Sequence, residues 1–126
     1  EKAARGTDGA MYPWGDDPPD RSMANYNGSD TTRVGSYPVG ASPYGALDMV
    51  GNVWEWVNDW YDANYYSENI INNPTGPISG TSTILRGGSW FVNAYYIRTA
   101  YREENPLTYT NSNNGFRCSL VANVTP

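Results

Sequence analysis

Apolar residues are scattered along most of this chain, and only a few stretches carry a pattern that implies regular structure. The clearest lies between Leu47 and Trp60, where Val50, Val53, Trp54 and Val57 fall at offsets of three and four. The same region contains the β-rich run Val53-Trp54-Glu55-Trp56-Val57, directly after Gly51-Asn52, a strong turn signal. A turn followed by a strand is therefore a better reading than a helix. Thr83 to Trp90 predicts a strand that bends at Gly87 and Gly88, and Phe116 to Val121 alternates as a closing strand would. Arg33 to Tyr37 predicts a short strand ending at Pro38. Glu1 to Arg5 has good helix propensity and stops at Gly6, like the last turn of a helix.

The remainder is turn-forming. Gly6 to Pro43 is dense in Gly, Pro, Asp, Asn and Ser, and residues 61–82 make a second polar connection. Phe91 to Asn113 mixes aromatic, aliphatic and small polar residues with no period. This organisation predicts one loop-rich α+β domain over residues 1–126, with small antiparallel sheets supporting long loops. Long ordered loops are uncommon and usually functional. A terminal helix this short does not hold alone, so the domain is expected to extend beyond Glu1.

Composition narrows the function. A length of 126 residues fits a single domain. Aromatics reach 14%, with five Trp, eleven Tyr and two Phe, which argues against disorder. No apolar run is long enough to span a membrane. There is no histidine, which removes imidazole bases, Ser-His-Asp chemistry and histidine-bound metals. The one cysteine, Cys118, excludes an intrachain disulfide and reads as a small buried hydrophobe. Net charge is −5 with no cluster among the eight basic residues, so nucleic acid is not an expected partner.

Several segments together carry a resemblance. Glu-Lys-Ala-Ala-Arg-Gly at 1–6, Tyr-Pro-Trp-Gly-Asp at 12–16, Ala-Asn-Tyr at 24–26 and Val-Gly-Ser-Tyr-Pro at 34–38 come first. Tyr-Gly-Ala-Leu-Asp-Met-Val-Gly-Asn-Val-Trp-Glu-Trp at 44–56, Leu-Arg-Gly-Gly-Ser-Trp at 85–90 and Gly-Phe-Arg-Cys at 115–118 follow. In order and spacing these resemble the formylglycine-generating-enzyme-like (sulfatase-modifying factor) family, a variant of the C-type lectin fold. The family's N-terminal half has no counterpart here, so the resemblance implies that another segment or chain supplies it. It also implies a copper-binding cysteine pair, which would fall on Val92 and Ile97; neither binds copper, so no oxidase activity is expected. The histidine-bound iron of the related sulfoxide synthases has no ligands either.

A branch of the family fits better. Variable proteins of diversity-generating retroelements resemble this chain in Leu-Arg-Gly-Gly-Ser-Trp, then scattered variable positions, then Gly-Phe-Arg. In that branch, template Asn codons are rewritten at their adenines, giving Asn, Tyr, Phe, Val, Ile, Thr, Ser, Ala and Leu among others. Nearly all residues interleaved between Phe91 and Asn113 belong to that set, whereas Glu103 and Glu104 do not. The composition alone matches chance; the placement after Ser89-Trp90 carries the weight.

The candidate site follows from residue types. Phe91, Val92, Asn93, Tyr95, Tyr96, Tyr101, Thr108, Tyr109, Thr110 and Asn111 have the mixture of rigid aromatics and adaptable small polar groups found at recognition surfaces. Ile97 and Ala100 are expected to face inward. The expected partner is a protein or other macromolecule; the alternative is a formylglycine-generating oxidase acting on sulfatase cysteine. Asp48 and Glu55 flank the Gly51-Asn52 turn, where two carboxylates with turn carbonyls would suit Ca²⁺. They could equally cap turn amides and pair with arginine. The resemblance implies a structural calcium held by the Asp48 and Glu55 side chains and the Gly51 and Val53 carbonyls. Arg86, Arg98, Arg102 and Arg117 are expected to pair with carboxylates beneath the loops. Most tryptophans are expected in the core, with Trp90 the one open candidate for contact.

Overall fold

The computed structural model describes residues 1–68 and 74–119. A single helical turn, α1 (Lys2–Arg5), ends where Gly6 at φ +66° donates its N–H to the Lys2 carbonyl. Four strands follow: β1 (Trp54–Trp60), β2 (Ser82–Arg86), β3 (Glu103–Pro106) and β4 (Asn114–Gly115). They form one sheet in the order β3-β2-β1-β4. The β1–β2 and β2–β3 pairs are antiparallel, whereas β4 runs parallel to β1, so the sheet is mixed. Trp56 faces Leu85 and Trp60 faces Thr83, so β1 bulges between them. No helix among the described residues is long and apolar enough to cross a membrane.

Two packing centres hold the fold. On the sheet, Trp54, Ile84 and Leu85 are buried, Leu85 to 1% exposure. Among the loops, Tyr12, Ala24, Val50 and Ile97 form a second cluster, with Trp14, Tyr26 and Val92 packed against it. Ile97 is fully enclosed. Burying a side chain of this size contributes roughly 1.5–3 kcal/mol, so a loop-rich chain gains much of its order from a few such residues.

The turn before β1 shows how loops are tied together. Gly51 lies at φ +78°, and a Cβ there would stand 2.5 Å from the Asn25 carbonyl oxygen, so only glycine fits. Its N–H donates to Gly87 O at 2.8 Å, and the Asn52 N–H donates to Asn25 O at 2.8 Å. The buried Asn52 side chain accepts the Thr32 N–H at 2.9 Å through Oδ1. Residues 25, 32, 51, 52 and 87 are thus joined without a strand.

Several expectations are corrected. Residues 33–37 are a turn rather than a strand, because Gly35 adopts φ +77° and gives its N–H to Asp48 Oδ2 at 2.6 Å. The strand expected over 83–90 stops at Arg86, since Gly87 and Gly88 both take positive φ. Among the described residues the last strand is Asn114–Gly115; residues 116–119, where a closing strand was expected, are irregular, and 120 and 121 lie outside the described residues. With no strand to seat them, Phe116 and Cys118 are exposed, so the cysteine is not a core residue. Ala100 is exposed too, and Thr99 takes the inward place.

Candidate ligand-binding surface

The stretch from Phe91 to Asn113 is anchored at its base, middle and far side. At the base, Asn113 Nδ2 donates to Ser89 Oγ at 3.2 Å, with both residues buried. Just inside, the Trp90 N–H donates to Asn52 O at 2.8 Å, while Asn27 N–H reaches Val92 O at 2.8 Å. In the middle, Ile97 enters the loop core and Thr99 Oγ1 lies 3.0 Å from the carbonyls of both Ala10 and Met11. On the far side, Arg86 donates to the Tyr101 carbonyl, to Thr99 O at 2.8 Å and to Glu1 Oε2 at 2.9 Å. Burial pulls the Arg86 guanidinium pKa down, and Glu1 opposes the shift.

Between these anchors the proposed contact residues divide by position. Phe91 is 68% and Tyr95 57% exposed, and Asn93 is exposed beside them. Tyr96 and Tyr101 are half-buried and meet Tyr95 in an edge-on trio, with centroids 5.1–5.6 Å apart. Val92 is half-buried and leans on the loop core. Trp90 is half-buried with its ring edge-on to Phe91 at 5.6 Å, and its buried indole N–H has no partner among the described residues. Thr108, Tyr109, Thr110 and Asn111 are exposed after β3, where Asn111 Nδ2 donates to Tyr109 Oη at 3.1 Å. No aromatic or hydrogen-bond contact among the described residues joins this second group to the tyrosine trio.

A family model for the sulfatase-modifying factor enzyme 1-like domain matches residues 1–122. The chain belongs to this family. It is 46% identical over 110 residues to the serine/threonine-protein kinase pkn1 of Chlamydia caviae, spanning 86% of this chain and 17% of that protein. It is 34% identical over 142 residues to the formylglycine-generating enzyme of Streptomyces coelicolor, covering 99% of this chain and 45% of the enzyme. The chain thus spans under half the length of these relatives. Among solved structures, Treponema denticola variable protein 1 superposes with a TM-score of 0.69 at 29% identity, over 91% of this chain and 41% of that one. PvdO from Pseudomonas aeruginosa superposes at 0.75 with 24% identity, over 91% and 47%, and shares the fold. The loop-rich α+β architecture of this family is therefore the architecture of the chain.

The calcium set is brought together in part. Glu55 is gripped by Arg117, which donates Nε to Oε2 at 2.6 Å and Nη2 to Oε1 at 2.5 Å. Arg117 also donates to the carbonyls of Leu47 at 3.1 Å and Asp48 at 2.6 Å. The Glu55 bond holds the guanidinium pKa up against its partial burial. Asp48, at φ +52°, gives its carboxylate to Gly35 N–H. No group of three or more Asp, Glu or Cys side chains that could hold a metal occurs among the described residues. Of the set Asp48, Gly51, Val53 and Glu55, the Glu55 carboxylate thus receives a guanidinium and the Asp48 carboxylate a backbone N–H.

The arginines separate into two kinds. Arg86 and Arg117 make the expected ion pairs, with Glu1 and Glu55. Arg98 and Arg102 do not pair with a carboxylate among the described residues; each lies over aromatic rings instead. Nothing in the sequence distinguished the two kinds, because the partners are distant along the chain. The hidden anchors Ser89, Thr99 and Asn113 also escaped, since small polar residues look alike in a loop whether buried or exposed.

Proposed function

We propose that this chain is a non-catalytic ligand-binding module that displays side chains between Phe91 and Asn113 on a C-type-lectin-like scaffold. One observation carries the reading: exposed Phe91, Asn93 and Tyr95 are bracketed by the buried anchors Ser89 before them and Ile97 and Thr99 after them. Side chains facing solvent can then change without disturbing those that hold the backbone. Affinity at such a surface comes from a few rigid aromatic anchors. The likeness to a solved variable protein supports the same reading.

The competing reading is an oxidase like the formylglycine-generating relatives. Against it, the positions where the resemblance places the copper-binding cysteines hold Val92 and the fully enclosed Ile97. Neither offers a thiolate, and the remaining thiol, Cys118, lies after β4. The test uses the protein as its complete reading frame encodes it, with Cu(I), oxygen and a cysteine-containing sulfatase peptide. Oxygen uptake is expected to equal that of the protein-free copper control. Peptide-dependent turnover would overturn the non-catalytic reading.

A further inference from the structure

The arginines around the displayed stretch can be accounted for donor by donor. Arg5 donates to Gly9 O and Glu1, Arg86 to Glu1 and two carbonyls, and Arg117 to Glu55 and two carbonyls. Arg98 spends only Nε, on Tyr95 O at 2.9 Å, and its Cζ sits 3.9 Å from the Tyr95 ring centroid. Arg102 has no hydrogen-bond acceptor among the described residues; its Cζ lies 4.8 Å from the Tyr66 centroid and 5.5 Å from that of Tyr61. Both residues are half-buried.

Stacking over a ring holds a guanidinium in one plane while leaving its N–H edges free. The remaining N–H donors of both residues are unpaired among the described residues and open to solvent or a ligand. Arg98 and Arg102 share one cavity of about 430 Å³ with Arg5, Met11, Asp16 and Tyr101. Arg5 shares the Glu1 carboxylate with Arg86, and Asp16 accepts the Met11 N–H at 2.8 Å. Arg5, Arg98 and Arg102 against Asp16 and a shared Glu1 leave the cavity lining net positive. A positive lining suits an anion, and the planar anionic group that a protein partner offers to guanidinium edges is a carboxylate.

We propose that this cavity receives a carboxylate side chain of a protein partner, gripped by Arg98 and Arg102. The inference rests on the binding-module reading and supplies its ligand chemistry. The displayed aromatics would vary the contact around this charged pair, in which the backbone carbonyl of residue 95 holds Arg98 whatever side chain stands there.

The test follows arginine Nε–H resonances of the chain during titration with acetylated tetraglutamate, tetraglutamine or inorganic phosphate. Tetraglutamate is expected to shift Arg98 and Arg102 but not the exposed Arg21 and Arg33, and tetraglutamine to shift none. The double variant Arg98→Gln/Arg102→Gln should weaken tetraglutamate binding about tenfold or more, with an unchanged melting temperature. Shifts from phosphate alone, equal shifts at Arg21 and Arg33, or none at all would overturn the proposal. The two readings fail separately. Natural constancy of residues 91–113 with intact tetraglutamate binding removes display and leaves the carboxylate site. Natural diversity there with an indifferent double variant removes the carboxylate site alone.

Discussion

Asn113 Nδ2 donates to Ser89 Oγ across 3.2 Å, closing the base of the long stretch that separates them. Both residues are buried, Ser89 completely. The Asn113 carbonyl also accepts the Trp54 N–H at 2.8 Å, which ties the same closure to β1. Ser89→Ala would leave the Asn113 amide without its acceptor. A loss of about 1–3 kcal/mol in denaturant unfolding is expected, and an unchanged midpoint would show that the closure is not needed.

Anchor and display positions should respond oppositely to truncation. Ile97→Ala removes a fully enclosed side chain and should cost about 2–5 kcal/mol. Gly88→Ala should be similarly harmful: at φ +74°, its Cβ would stand 2.7 Å from Ile97 Cγ2 and 3.0 Å from the Tyr96 carbonyl oxygen. Phe91→Ala and Tyr95→Ala, being largely exposed, should each cost about 1 kcal/mol or less. Thermal unfolding of the four variants decides the matter, and a large loss at Phe91 or Tyr95 would make them packing residues.

The grip of Arg117 on Glu55 yields a metal prediction. Millimolar Ca²⁺ is expected to leave the melting temperature unchanged, because the Arg117 guanidinium already neutralises the Glu55 carboxylate. Arg117→Ala should lower stability by about 1–2 kcal/mol, the partial exposure of the pair limiting the effect. A calcium-dependent rise of several degrees, lost in Glu55→Gln, would show that the cation displaces the arginine.

Tyr101 gives a pH signature. Its hydroxyl pKa is pushed up to about 12, first by burial and then by its 2.9 Å hydrogen bond to Glu103 and that carboxylate's charge. An unfolded tyrosine titrates near 10, so between about pH 10 and 12 the native chain keeps a proton that the unfolded chain has lost. This contribution to stability is complete below about pH 10 and disappears as pH rises toward 12. Tyrosine Cζ resonances should show two rings titrating late, Tyr101 and Tyr12, whose pKa burial also raises, with the first signal absent in Tyr101→Phe; ionisation of Tyr101 near 10 would contradict the geometry.

What the sequence made legible depended on local signals. Gly51-Asn52 announced the turn before β1 because both residues adopt positive φ, a requirement visible in residue type. Strand β3 stayed hidden because Glu103-Glu104-Asn105-Pro106 has poor strand propensity; pairing with β2, Leu85 to Glu103 and Ser82 to Pro106, imposes the conformation. The alternation after Gly115 suggested a strand that the sheet does not extend to cover, which explains the exposed Cys118. At the displayed surface, the aromatic mixture was readable, but Ala100, expected inward, is exposed and Thr99 is buried beside it. Thr99 turns inward because two carbonyls from residues 10 and 11 await its hydroxyl, contacts that local composition does not reveal.

The most direct test of the display account is deep sequencing of the gene across its source population, together with the DNA immediately downstream. The account predicts substitutions concentrated at adenine-templated positions in codons 91–113, sparing the codons for Ile97 and Asn113, with a near-copy repeat and a reverse transcriptase gene nearby. Codons 91–113 as constant as codons 44–56 would contradict it, leaving a loop that serves one fixed ligand or packs against the rest of the protein.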